Sequence, residues 1–146
     1  MINKSGNQSN ILLKGGTVVD PSQNINRSCD VAIRNGSISK IGDNLPVEDY
    51  IVIDVSSLYV FPGLIDLHAH ICWEFTDIGL VPDDFCPSTG VTTIVDAGSS
   101  SWPSVDAFRS SVVNKSRTRV LGFSNISRVG IPTADTPELA SLRFLA

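Results

Sequence analysis

The apolar runs of this sequence change in length and spacing at Pro62-Gly63, and this change limits the folds that the chain can adopt. Before it, short β-branched runs alternate with turn residues, a pattern typical of an all-β region. These runs are Ile11 to Leu13, Thr17 to Val19, Val31 to Arg34, Ser37 to Ile41 and Ile51 to Val55. We therefore predict a β-rich segment over residues 11–61, preceded by a polar tail over residues 1–10.

A β-hairpin is predicted around Asn35-Gly36. The flanking runs are rich in β-branched residues, and Asn-Gly supplies the two positive-φ residues that a type I′ turn requires. Gly15-Gly16, Asp20-Pro21 and Leu45-Pro46 indicate further turns, because their residues favour special or fixed φ values.

After Gly63 the sequence predicts repeated βα units with a buried parallel sheet, because apolar runs are separated by longer segments with helix signals. The predicted strands are Leu64 to Ile71, Val91 to Asp96 and Arg119 to Asn125, and the predicted helix runs from about Val105 to Asn114.

A second helix is predicted to begin at Thr136-Pro137-Glu138, which supplies an N-cap, a proline in the first turn and an acidic residue. Leu139, Leu142 and Leu145 follow at near-helical spacing, with no C-cap glycine before Ala146. From this pattern we expect the chain to be truncated within a helix.

Composition and charge argue against several classes of partner. With 146 residues, a net charge of −4 and a pI near 4.9, the chain has no basic surplus for nucleic acid or an anionic membrane. The first ten residues are polar and no apolar run is long enough to span a bilayer, so we predict a cytoplasmic protein. Cys29, Cys72 and Cys86 share no CxxC spacing and are expected to be reduced thiols.

His68 and His70 are the two histidines of the chain, and they stand two residues apart on a predicted strand. Because strand side chains alternate and the rise is about 3.3 Å per residue, both rings can converge on one cation at a Zn–N distance of about 2.0–2.1 Å. Two ordinary core or surface histidines would give the same spacing. Their place near the C-terminal end of the first strand, where α/β barrels carry catalytic residues, favours a metal site.

Three neighbouring residues have two interpretations each. Asp66 has the parity of the histidines and can orient a ligand or cap the floor of a barrel. Cys72 can serve as a soft ligand, although a packed thiol is the favoured interpretation. Asp96, at the end of the second strand, faces the site or caps the helix that follows, and we favour the structural role slightly.

Polar residues that follow the predicted strands are weaker candidates. Asn125 and Arg128 come after the third strand, where barrels often contact substrates, but loop polarity alone also explains them. Three acids in the loop after the first strand are expected to be solvated charges: Asp77, Asp83 and Asp84.

The stretch PGLIDLHAH, preceded by LLKGGTVVDP and VAIRNGSISKIG, resembles the start of amidohydrolase-superfamily enzymes. GVTTIVDAGS and TRVLGFSNISRVG add a likeness to the branch of dihydroorotase and D-aminoacylase-like deacetylases. The resemblance extends over nearly the whole chain from Ile11. It implies an α/β fold, in which residues 11–61 form part of a small β-sandwich and residues 62–146 form the first βα units of an incomplete TIM (β/α)₈ barrel.

The resemblance also implies a metal-dependent hydrolase of amide or ester bonds with two divalent metals, usually zinc. His68 and His70 match the first two metal ligands. A carboxylated lysine, two further histidines and the catalytic aspartate are expected beyond Ala146. Because two imidazoles bind a metal weakly, we expect the chain to be inactive alone.

The alternative is a non-catalytic superfamily member or a remnant that acts as an assembly surface. Two convergent imidazoles favour the enzyme, a deacetylase or cyclic amidohydrolase acting on a small molecule. Self-association into a homo-oligomer is left open, and the sequence contains no serine-hydrolase, P-loop or dinucleotide motif.

Overall fold

The computed structural model describes residues 9–135 and 141–145 of the chain. The chain divides between Pro62 and Gly63 into two compact units. The helix predicted to begin at Thr136 falls on residues 136–140, outside the described residues; after them, Leu142–Phe144 forms a short 3-10 helix.

The first unit is a five-stranded sheet. Its strands are β1 (Ile11–Asp20), β2 (Ile25–Arg34), β3 (Ser37–Gly42), β4 (Ile51–Asp54) and β5 (Tyr59–Val60), with a 3-10 helix at Pro21–Gln23. The order is β3-β2-β1-β4, and β5 also pairs with β1. The pairs β1–β2 and β2–β3 are antiparallel, whereas β4 and β5 run parallel to β1.

The hairpin predicted at Asn35-Gly36 is confirmed. Asn35 has φ 51° and Gly36 has φ 74°, and they connect β2 to β3 with Arg34 opposite Ser37. Two consecutive positive-φ residues match the right-handed twist of the strands that they join.

The turn predicted at Gly15-Gly16 is wrong, because β1 passes through both glycines without a break. The register with β2 shifts between Leu13 and Gly16, and Gly15 has φ 76°. The N–H of Gly15 donates to Oδ1 of Asp30 at 2.8 Å. The glycines therefore form a β-bulge, which bends a strand without ending it.

The second unit is a parallel sheet in the order β6-β7-β8, covered by helices. Its core contains Ile71, Cys72, Cys86, Ile94, Phe108, Val112 and Val120. The elements are β6 (Leu64–Ala69), α1 (Pro82–Thr89), β7 (Val91–Asp96), α2 (Val105–Phe108), which continues as a π-helix at Arg109–Val113, and β8 (Arg119–Gly122).

Two strands end earlier than predicted. β6 ends at Ala69 because the N–H of Ile71 donates to the carboxylate of Asp96 at 3.1 Å and the Ile71 side chain enters the core. β8 ends at Gly122, and the backbone N–H of Asn125 donates to the carbonyl of Ser100 at 2.8 Å, within a loop contact.

Helix α1 was not predicted, and it changes the interpretation of the acids after β6. Asp83 and Asp84 lie in its first turn, and Asp83 accepts N–H groups of Arg117 and Thr118, each at 2.8 Å. These hydrogen bonds lower the pKa of the Asp83 carboxyl. Asp77 and Asp84 are exposed, as predicted for solvated charges, and Asp77 also accepts the N–H of Ala134 at 3.1 Å.

The outer strands of the parallel sheet keep large apolar side chains exposed. They include Ile65 and Leu67 on β6, Leu121 on β8 and Phe123 directly after it. In the described part of the chain, none of the helices is long and apolar enough to cross a membrane.

Candidate metal centre

The rings of His68 and His70 lie side by side at the C-terminal end of β6. Their centroids are 5.6 Å apart and their planes are inclined by 89°. A zinc ion bound at about 2.0–2.1 Å by one nitrogen of each ring lies roughly 3 Å from each centroid. Because 5.6 Å is less than twice that distance, the separation of the two rings is compatible with one ion bound between them.

Strand β6 is irregular where it carries these residues. Asp66 pairs with Ile94 and Ala69 pairs with Asp96, so three steps along β6 oppose two along β7. The alternation of side chains along a regular strand therefore does not determine whether Asp66 shares a face with the two histidines. Its carboxylate accepts the backbone N–H of His68 at 3.0 Å, so Asp66 holds the backbone of that residue.

Ser99 holds the ring of His70. Its Oγ lies 2.9 Å from Nδ1 of His70, and Ser99 is buried in the loop that follows β7. With Nδ1 engaged, Nε2 is the ring nitrogen left for a metal. The sequence analysis missed this residue. The sequence signal that could have found Ser99 is its position directly after β7, the strand beside β6. The C-terminal ends of neighbouring parallel strands meet at one edge of a sheet, so residues that follow them lie close together.

Asp96 is fully buried and accepts three backbone N–H groups: Ile71 at 3.1 Å, Gly98 at 3.0 Å and Ser99 at 2.6 Å. Its carboxylate therefore connects the chain after β6 to the chain after β7. This is the structural role that the sequence favoured, although the groups that it holds belong to loops and not to a helix.

Asn125 uses its side chain within the loops. Its Nδ2 donates to the carbonyl of Gly98 at 3.0 Å, and its Oδ1 accepts the N–H of Ser127 at 2.8 Å. The guanidinium of Arg128 lies 5.8 Å from the centroid of the exposed ring of Trp102. Arg128 is an exposed residue, whereas both polar groups of the Asn125 amide have partners.

Cys72 is a packed thiol. It is 1% exposed within the core of the second unit, and burial raises its pKa to about 12, with Asp96 and Glu74 adding to the rise. A protonated core thiol is a poor metal ligand. Cys29, Cys72 and Cys86 are all free, as predicted.

Within residues 9–135 and 141–145, no three His, Cys, Asp or Glu side chains converge on a metal-binding point. The described residues therefore bring two histidines together, with Asp66 bound to the backbone of His68 and Ser99 bound to the ring of His70.

Comparisons of sequence and structure match this chain to deacetylases and dihydroorotases. No protein-family model matches the sequence. The chain is 35% identical to a deacetylase of Brucella anthropi over 112 residues, which are 75% of this chain and 28% of that protein. It is 38% identical to the dihydroorotase of Trichlorobacter lovleyi over 133 residues, 85% of this chain and 30% of that protein.

A dihydroorotase crystal structure superposes on the chain with a TM-score of 0.76 at 30% identity, covering 95% of this chain and 37% of that one. The chain thus spans about 30% of the length of the curated relatives that it matches. The match is to their N-terminal portion, and the parallel sheet is part of a TIM barrel. Its homologues are thus deacetylases and dihydroorotases, and its structural neighbours are members of the amidohydrolase superfamily.

Proposed function

We propose that His68 and His70 are the first two metal ligands of a hydrolase that cleaves amide or ester bonds, as a deacetylase or a cyclic amidohydrolase. The observation that carries this proposal is the convergence of the two rings, 5.6 Å apart, at the C-terminal end of a parallel strand. In α/β barrels this end carries the catalytic residues. The N-terminal likeness to dihydroorotases and deacetylases supports the same reaction class.

The residues of this chain hold the ligands in place. Ser99 bonds Nδ1 of His70, and Asp66 bonds the backbone N–H of His68. Two zinc ions are the cofactors that the likeness to amidohydrolases implies, and imidazole nitrogen suits zinc among other metals. A bound metal supplies Lewis acidity, which lowers the pKa of water and polarises a carbonyl group. The remaining ligands and the catalytic aspartate belong to other parts of the whole protein.

The substrate in this proposal is a small molecule in the cytoplasm. Arg128, an exposed residue whose guanidinium lies beside Trp102, is the better substrate contact of the two predicted residues, because the side chain of Asn125 is engaged in the loops. The acidic net charge of −4 disfavours nucleic acid as the substrate.

The test uses the whole protein loaded with zinc. We expect turnover of N-acyl amino acids, O-acyl hydroxy acids or cyclic amides, and loss of most bound metal when His68→Ala and His70→Ala are combined. Asp84→Ala, which changes an exposed acid of α1, is the matched control and should keep its metal. Unchanged zinc content in the double variant would refute the ligand assignment. Turnover of nucleobases alone, with release of ammonia, would refute the reaction class, and a metal-loaded protein that turns over none of these substrates would favour the non-catalytic alternative.

A further inference from the structure

We propose that Ser99 and Asp96 are positioning residues for His70, an inference that rests on the proposed function. Ser99 holds the imidazole through Nδ1 so that Nε2 is presented to the metal. Asp96 in turn fixes Ser99 against the chain that carries His70.

The direct contact is the hydrogen bond of 2.9 Å between Oγ of Ser99 and Nδ1 of His70. A neutral imidazole that binds a metal through Nε2 carries its proton on Nδ1, so Nδ1 donates and the serine hydroxyl accepts. This bond sets both the tautomer and the rotation of the ring. His70 lies just beyond the end of β6, where the sheet ladder no longer restrains it.

The carboxylate of Asp96 connects the two ends of this contact. One oxygen accepts the N–H of Ile71, the residue after His70, and the other accepts the N–H of Ser99 at 2.6 Å. Ser99 and Ile71, the residue that follows His70, are therefore tied to one fully buried side chain. Their backbones cannot separate without breaking a buried, charge-assisted hydrogen bond.

Ser99 is also braced from its other side. Its carbonyl accepts the N–H of Ile131 at 3.1 Å, and Gly130 approaches so closely that an added Cβ would lie 2.2 Å from that same carbonyl oxygen. Ser99 is thus held by contacts with His70 after β6, with Asp96 of β7 and with Ile131 after β8. Such support suits a residue whose hydroxyl must stay in one place.

A purely structural role for the Ser99 hydroxyl is the competing explanation, and metal binding separates the two. The whole protein is prepared free of metal as wild type, Ser99→Ala and Ser100→Ala. Ser100 follows Ser99 directly and is equally buried, so it is the matched control for loss of a hydroxyl from this loop. The measurements are Co²⁺ affinity by chelator competition, the visible absorption spectrum of bound Co²⁺ and the melting temperature of the metal-free protein.

We expect Ser99→Ala to bind Co²⁺ about 10–100-fold more weakly, with a shifted spectrum, as is typical when a partner of a metal ligand is removed. Ser100→Ala should match the wild type. Equal affinity and an unchanged spectrum in Ser99→Ala would overturn the inference and leave the proposed function intact, as would equal weakening in both variants. A wild-type protein that takes up no Co²⁺ would overturn the proposed function and this inference with it.

Discussion

Replacing Asp96 with alanine should destabilise the second unit strongly. The carboxylate is the acceptor for three backbone N–H groups, of Ile71, Gly98 and Ser99, at 3.1, 3.0 and 2.6 Å. Leaving a buried donor unsatisfied costs about 1–3 kcal/mol. Because three donors lose their acceptor together, we expect the free energy of unfolding to fall by about 3 kcal/mol or more.

The assay is denaturant unfolding of the whole protein, combined with amide hydrogen exchange at the three N–H groups. Asp106→Ala is the matched control, because the Asp106 side chain is 94% exposed and its ion pair with Arg109 is long, at 3.9 Å. Such a surface change should stay within about 0.5 kcal/mol. A loss below about 1 kcal/mol for Asp96→Ala, or unchanged protection of the three amides, would refute the reasoning.

Three further predictions follow from the same unit. Gly130→Ala should lower the melting temperature more than Gly90→Ala does. Both glycines have positive φ, but of the two only Gly130 has backbone in the way of an added Cβ, which would lie 2.2 Å from a carbonyl oxygen. Equal melting temperatures of the two variants would contradict this. Hydrogen bonds lower the pKa of Asp83, so its stabilisation is present above the unfolded pKa of about 3.9 and is lost as pH falls through the folded pKa. The melting-temperature gap between wild type and Asp83→Asn should therefore be wide at neutral pH and narrow in acid, and a gap independent of pH would argue against it. With a pKa near 12, Cys72 should resist iodoacetamide in the native protein at pH 8 and react after denaturation, and rapid native labelling seen by mass spectrometry would show the thiol to be accessible.

The sequence by itself determined the elements whose cause is local. Asn35-Gly36 predicts its hairpin because two neighbouring residues tolerate positive φ, and the apolar run Val91–Asp96 predicts its buried strand. The sequence also has His68 and His70 two residues apart near the C-terminal end of a predicted strand, where α/β barrels carry catalytic residues. These features can be predicted from neighbouring residues alone, without contacts to distant parts of the chain.

Only the tertiary structure decided the features that depend on distant partners. Gly15-Gly16 could form a turn or a bulge, and Asp30, fifteen residues after Gly15, selects the bulge by accepting its N–H. β6 ends where Asp96 takes the N–H of Ile71, and Ser99 reaches His70 across 29 positions of sequence. Local propensity leaves such choices nearly equal in energy, so a buried hydrogen bond worth about 0.5–1.5 kcal/mol, formed only after the strands pair, is enough to decide between them.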